Sequence, residues 1–278
     1  MNYNPKASRT TLSAYVTGLL AAGHLIFFRD EALAALGIGR GAFLDAAEKL
    51  QKRGQLLNPR QGFYVVVPPQ NLNFGSPPPA SFIDDLMRFE KRPYYVGLLK
   101  AAELHGAAHQ AVMEFQVVTN KQMRNVQLGR SKIAFYFKKD LAKVASATED
   151  HKTDTGKMKV SSVELTLLDL VRYPEASGGL DNVLTIFAEL GPKIDAAKMA
   201  QLCDAFKRSV IQRAGYLLDH SGFAQPAEEL HGLLERGPQT QWTELDPSIA
   251  SHPDLAPEII ARDQRWHVLV RRLPERDE

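Results

Sequence analysis

Cysteine occurs once in the 278 residues, at Cys203, which excludes an internal disulfide framework and suits a reducing compartment. Its surroundings, AQLCDAFKR, have a helical pattern with no accompanying histidine, so Cys203 reads as a buried structural thiol and not as a nucleophile. No apolar run approaches the roughly 20 residues that a membrane-crossing helix needs. The opening MNYNPKASRTTLSAY lacks the basic-then-apolar order of a secretory signal, and the expected location is therefore the cytoplasm. There is no P-loop, no Gly-rich dinucleotide turn, no Gly-x-Ser-x-Gly elbow and no Cys pair. Internal repeats and long low-complexity tracts are missing too. What is there, 44% hydrophobic and 24% charged residues, is the composition of a globular protein long enough for two domains.

The net charge is small, +2, but unevenly spread. Residues 1–70 carry eight Lys/Arg against four acids, residues 120–159 carry ten against four, and residues 160–278 carry twelve against nineteen. Two basic blocks precede an acidic C-terminal part, which suggests that a polyanion meets the first half of the chain.

Three consecutive prolines, Pro77 to Pro79, in PPQNLNFGSPPPA, Pro68 to Ala80, favour an extended spacer between folding units. The boundaries expected are 1–70 for a first domain, 71–80 for the Pro-rich linker and 81–278 for a larger second domain. In the first, a helix capped by Ser8 ends at Gly23, and HLIFF makes a short connection. RDEALAAL and RGAFLDAAEKLQKRG then form two helices around Gly-Ile-Gly, with Phe43, Ala46, Ala47 and Leu50 facing inward. QLLNPRQGFYVVVP reads as strand, Asn-Pro turn and strand. Three helices followed by a hairpin are the order of a winged helix-turn-helix. In the second domain SFIDDLMRFE and YYVGLLKAAELHG read as helices, and AVMEFQVVTN, NVQLG and KIAFYFKK as strands. VSSVELTLLDLVRYP, LDNVLTIFAELG, AKMAQLCDAFKRSVIQRAGYLLDHSG and AEELHGLLERG add helices, and QRWHVLVRRL a closing strand. The fold expected is α+β: a winged helix-turn-helix followed by a larger α+β domain with a mainly antiparallel sheet and flanking helices.

A recognition helix reads base edges from its first turn. Arg40 stands there and can donate two hydrogen bonds to a guanine; Leu44 is placed for a thymine methyl. Lys49, Lys52 and Arg53 are phosphate candidates, with Arg60 and Gln61 at the wing tip. Asp45 and Glu48 would repel phosphate, which confines the reading element to the first turn or so. The same fold used for protein contacts is the alternative.

A second candidate surface is the basic block NKQMRNVQLGRSKIAFYFKKDLAK, with Lys121, Arg124, Arg130, Lys132 and Lys138. Within KIAFYFKK, alternation would turn Ile133, Phe135 and Phe137 inward and Lys132, Tyr136 and Lys138 outward. His105 and His109 in LHGAAHQ are four residues apart, but no third ligand or neighbouring general-base Glu accompanies them, so they read as partly buried polar histidines or a binding-surface pair rather than metal ligands. Glu114, Gln116 and Lys121 raise a metal-dependent nuclease as an alternative, although a second strand acid is missing. No cofactor, metal or catalytic residue is expected, and the chain is read as a non-enzyme.

FFRDEALAALGIGRGAFLDAAEKLQKRGQLLNPRQGFYVVVP, RPYYVGLLKAAELHGAAHQAVMEFQVVTNKQ and VSSVELTLLDLVRYPEASGGLDNV together resemble the AbiEi antitoxins of abortive-infection, type IV toxin–antitoxin systems. The resemblance runs from about Arg9 to about residue 190. It implies a bacterial antitoxin that represses its own operon by binding inverted repeats in double-stranded DNA, and that opposes a nucleotidyltransferase-like toxin directly or indirectly. Arg40 then falls at the DNA-reading positions and Arg60 in the wing. Gly39 departs from the capping Ser or Thr expected at the start of the reading helix. A generic winged-helix regulator remains the other alternative.

Overall fold

The computed structural model describes residues 11–107, 113–248 and 257–276. Its first part runs α1 (Leu12–Ala21), β1 (Ile26–Phe28), α2 (Arg29–Leu36), α3 (Arg40–Lys52), β2 (Leu56–Arg60) and β3 (Phe63–Val66). Thr11 caps α1, its hydroxyl accepting from the Ala14 N–H at 3.2 Å. The expected cap, Ser8, lies outside the described residues. The inward stripe of α3, Phe43, Ala47 and Leu50, is buried with Leu12 and Val16 of α1 and Ala32 and Leu36 of α2. Phe27 stacks on Tyr64 at 5.2 Å, and Phe43 meets the same ring edge-on at 5.3 Å. HLIFF is more than a connection: β1 pairs with β3, giving an antiparallel sheet in the order β1-β3-β2.

The hairpin does not turn at Asn58-Pro59. Those residues lie inside β2, where the register with β3 shifts between Leu57 and Arg60. Proline has no N–H for the ladder and suits such an irregularity, whereas Gly62, at φ +92, takes the left-handed conformation the turn requires.

The Pro-rich stretch is not an extended spacer. It forms short 3₁₀ turns at Pro69–Asn71 and Pro79–Ser81, with Ser76, Pro77 and Pro79 buried. The Arg130 N–H donates to the Phe74 carbonyl at 2.9 Å, and Ser76 bonds the Ser131 hydroxyl at 3.2 Å. Gly75 and Gly129 back onto each other so closely that a Cβ on Gly129 would stand 2.4 Å from the Phe74 carbonyl oxygen.

Beyond it come α4 (Ile83–Phe89), β4 (Tyr94–Val96), α5 (Leu98–Leu104), β5 (Glu114–Thr119), β6 (Val126–Leu128), β7 (Ser131–Phe137), β8 (Thr148–Thr153) and β9 (Gly156–Ser161). The six strands order as β6-β7-β5-β4-β9-β8. The sheet is mixed: β4–β9 and β5–β7 are parallel, and β4–β5, β6–β7 and β8–β9 antiparallel. Tyr94, Tyr95 and Val96 were expected in a helix. Placed between β5 and β9, these aromatic and β-branched side chains bury on both faces of the sheet, and the helix starts only after Gly97. The β8–β9 hairpin was not foreseen: β8 is polar throughout, and β9 alternates only over Lys157 to Val160, where Met158 and Val160 turn inward.

Helices α6 (Val163–Arg172), α7 (Leu180–Leu190), α8 (Ala196–Leu202), α9 (Arg208–His220) and α10 (Ala224–Arg236) follow, then short strands β10 (Thr243–Glu244), β11 (Ala261–Asp263) and β12 (Val268–Val270). Ser162 caps α6. The stretch 197–222 is two helices, broken by a 3₁₀ turn at Cys203–Ala205. Trp266 is wholly buried against α9, where a Cβ on Gly215 would come within 2.0 Å of its ring.

Both faces of the large sheet are covered. One packs on α5 to α10. The other packs on α4 and on Phe63 and Val65 of β3, so the first sheet forms one wall of a core belonging to the second. The alternation expected of β7 is present, but its second face meets the helical layer instead of water. Tyr136 packs there, and Lys138 is 1% exposed. Phe137, expected inside, is exposed because the strand ends there.

Candidate nucleic-acid interface

Helix α3 presents Arg40, Leu44, Asp45, Glu48, Lys49, Lys52 and Arg53 to solvent. The α2–α3 turn is made by Gly37, in the left-handed conformation at φ 61, then Ile38 and Gly39. Gly39 takes the capping position and supplies no side-chain oxygen, so the first-turn N–H groups keep their capacity for an outside acceptor. Arg40 is the first helical residue, and Leu44 one turn on is 44% exposed. Lys52 pairs with Glu48 at 2.7 Å and holds its carboxyl below the usual range. One of the two awkward acids is thus matched within the helix, leaving Asp45 against Arg40, Lys49 and Arg53. The Tyr64 phenol, buried beneath, is pushed up by burial, against the pull of Arg29 and Arg40.

Arg60 is not free at a wing tip. Its Nε stands 3.3 Å from Glu90, its Nη2 donates to the Arg124 carbonyl at 2.6 Å, and its guanidinium lies 5.5 Å from the Phe135 ring centre. Burial lowers its pKa, with Glu90 opposing. Phe28 stacks on Phe89 at 5.5 Å, and Phe63 tilts against the same ring. The hairpin end therefore docks against the end of α4 and the β6–β7 edge of the large sheet, and of its two expected contacts only Gln61 is exposed.

The downstream basic block divides. Lys121, Arg124 and Arg130 are exposed, and Arg124 sits beside the docked hairpin through its carbonyl. Lys132 is paired with Glu114. Lys138, expected on the surface, is buried 3.4 Å from Asp169 and 3.5 Å above the Phe206 ring. Asp169 also accepts from the Tyr95 hydroxyl. Burial raises the Asp169 carboxyl and lowers the Lys138 ammonium, each against the attraction of the other. This Tyr95–Lys138–Asp169 centre was missed by sequence reasoning; its signal was an Asp in the middle of the apolar run LTLLDLV.

His105 ends α5 with Nε2 at 2.7 Å from the Ser161 carbonyl, which it can only donate to, and its own carbonyl accepts from Lys193 at 2.6 Å. It ties α5 to β9 and to the turn that follows α7, which is the partly buried polar histidine of the two readings. His109 lies outside the described residues. Among the described residues no group of three or more His, Cys, Asp or Glu could hold a metal ion. Gln116 is occupied as well, its amide donating to the Ala176 carbonyl at 2.8 Å.

Residues 95–220 match the family model of the AbiEi antitoxin C-terminal domain. No curated protein matches the chain. Among solved structures it is similar to the crystal structure of RV2827C protein from Mycobacterium tuberculosis, with a TM-score of 0.64 and 17% identity over 93% of this chain and 90% of that one. At that identity the likeness shows the fold alone. No helix among the described residues is long and apolar enough to cross a membrane.

Proposed function

We propose, from the match of residues 95–220 to the AbiEi antitoxin C-terminal domain, that the chain joins an antitoxin to an N-terminal winged helix-turn-helix that represses its own operon. The division proposed is 1–70 for DNA, 71–80 as the connection and 81–278 for the antitoxin. The partner opposed is a nucleotidyltransferase-like toxin, directly or indirectly, in the cytoplasm.

The observation that carries the DNA reading is the start of α3. Exposed Arg40 stands on a helix whose first turn has no side-chain cap. That end can meet the major groove: the Arg40 fork pairs with guanine O6 and N7, Leu44 meets a thymine methyl, and the free N–H groups suit a phosphate. Lys49, Lys52 and Arg53 follow toward the backbone. With Arg60 held by Glu90, the flanking phosphate contact passes to Gln61 and to the neighbouring Lys121 and Arg124. An inverted repeat then takes two copies, with half-sites about 34–36 Å apart or a multiple of that.

A promoter–reporter fusion tests this in cells. The wild-type chain represses it, and Arg40→Ala relieves repression while protection from the co-expressed toxin persists. Repression undiminished by Arg40→Ala contradicts the assignment.

A further inference from the structure

Between α4 and the 3₁₀ segment Leu141–Ala147, Asp84, Arg88, Arg92, Tyr94, Ala145 and Lys159 line an open cavity of about 420 Å³. We propose that this cavity binds a small phosphate monoester with a flat apolar body. No contact of α3 or of the toxin-opposing reading requires it.

Three cations line it against one carboxylate. The carboxylate is occupied: Asp84 accepts from the Tyr94 hydroxyl at 3.0 Å and pairs with Arg88. Burial and Asp84 push the Tyr94 phenol well up, so it remains a donor. Arg88 is shared with Asp85 at 3.3 Å, and Lys159 shares Asp150 with Lys157. Counting those neighbours, four cations face three carboxylates, and the surplus charge is at Arg92.

Arg92 has no ion pair among the described residues, and its buried Nε has no hydrogen-bond partner. A guanidinium N–H buried without an acceptor has lost its hydration with nothing in return, which an incoming anion would restore. The end of α4 sets its position. Lys91 adopts φ 53, and the Arg92 N–H returns to the Met87 carbonyl at 3.0 Å, the bond of a left-handed helix cap. A guanidinium fork suits the paired oxygens of a phosphate, with Lys159 as a second charge. Pro93, Tyr94, Leu141 and Ala145 give the apolar wall, which favours an ester over the free anion.

The test is calorimetric titration of the full chain with phenyl phosphate and, separately, with inorganic phosphate. Saturable one-to-one binding of phenyl phosphate, roughly tenfold tighter than that of inorganic phosphate, is expected, and Arg92→Gln weakens it by about tenfold or more. Arg130→Gln, at an exposed cation elsewhere, leaves it unchanged. Ala145→Phe fills the mouth from an exposed position and blocks binding by a route that does not touch Arg92, should Arg92→Gln fail to fold. Lack of saturation at about 10 mM phenyl phosphate, or equal affinity of wild type and the folded variants, overturns the proposal. Operator binding of the same samples, measured alongside, is unchanged in either case, so failure here is separable from failure of the repressor reading.

Discussion

Arg60→Ala distinguishes a wing that touches DNA from a hairpin that docks a domain. Arg60 is 20% exposed and pairs with Glu90, 25% exposed, at 3.3 Å. Its substitution removes this half-buried ion pair, worth about 1 kcal/mol at most after solvent screening. It also removes a charge-assisted hydrogen bond to the Arg124 carbonyl, about 1.5–3 kcal/mol. The approach to Phe135 adds about 0.5–1 kcal/mol. The three share one side chain and its desolvation, so their sum overstates the loss; about 2–3 kcal/mol is expected. For a chain of this size that lowers the melting temperature by roughly 4–12 °C, readable by scanning calorimetry. Glu90→Gln and the double variant close a cycle, with a coupling of about 0.5–1 kcal/mol expected. The second readout is the salt dependence of DNA affinity. A phosphate contact contributes about −0.9 to the slope of log affinity against log salt, so a docking Arg60 leaves the slope unchanged. A slope shallower by about one unit, with stability altered by less than roughly 0.5 kcal/mol, would refute the docking argument.

Other expectations follow from the same packing. Lys121→Ala with Arg124→Ala lowers the salt slope by roughly two units without changing sequence preference, in a fluorescence-anisotropy series, if those cations flank the docked hairpin. Gly215→Ala drives a methyl into the Trp266 ring and costs about 3 kcal/mol or more by urea unfolding, whereas Gly232→Ala in α10 meets only the movable end of Arg236 at 3.3 Å and stabilises by about 0.5–1 kcal/mol. Asp150, held between Lys157 and Lys159, titrates at about 2 in the folded chain, below its ordinary 3.8. The stability it contributes is therefore present above the ordinary value and disappears as the pH falls toward 2. Carboxyl NMR of Lys157→Ala should show that midpoint moving up. Burial pushes the Cys203 thiol up to about 12, so a thiol reagent at pH near 8 labels it only on unfolding.

Local signals were legible where one physical term decided. The α3 stripe, Gly37 and Gly54 at helix ends, and the Ser162 cap follow from periodicity and backbone freedom. They needed no partner from elsewhere in the chain. What escaped depended on tertiary company. Tyr94 to Val96 lie in a motif that reads as helix, and become a strand only because β5 and β9 flank them. Lys138 and Asp169 are 31 positions apart, and only burial against one another makes them a pair. The Pro-rich segment has the composition of a spacer, yet Gly75 meets Gly129 across more than 50 residues and pins it. Arg60 reads as a wing cation until Glu90 and the Arg124 carbonyl are brought beside it.

The central claim is that α3 reads DNA from its first turn. Fluorescence anisotropy with the operon's own promoter inverted repeat and a shuffled duplex, for wild type and Arg40→Ala at one fixed salt concentration, measures it most directly. The wild type should prefer the repeat, and Arg40→Ala should lose about 1–3 kcal/mol of that preference while its affinity for the shuffled duplex changes far less. Equal affinity of the wild type for both duplexes, or a preference untouched by Arg40→Ala, would contradict the account.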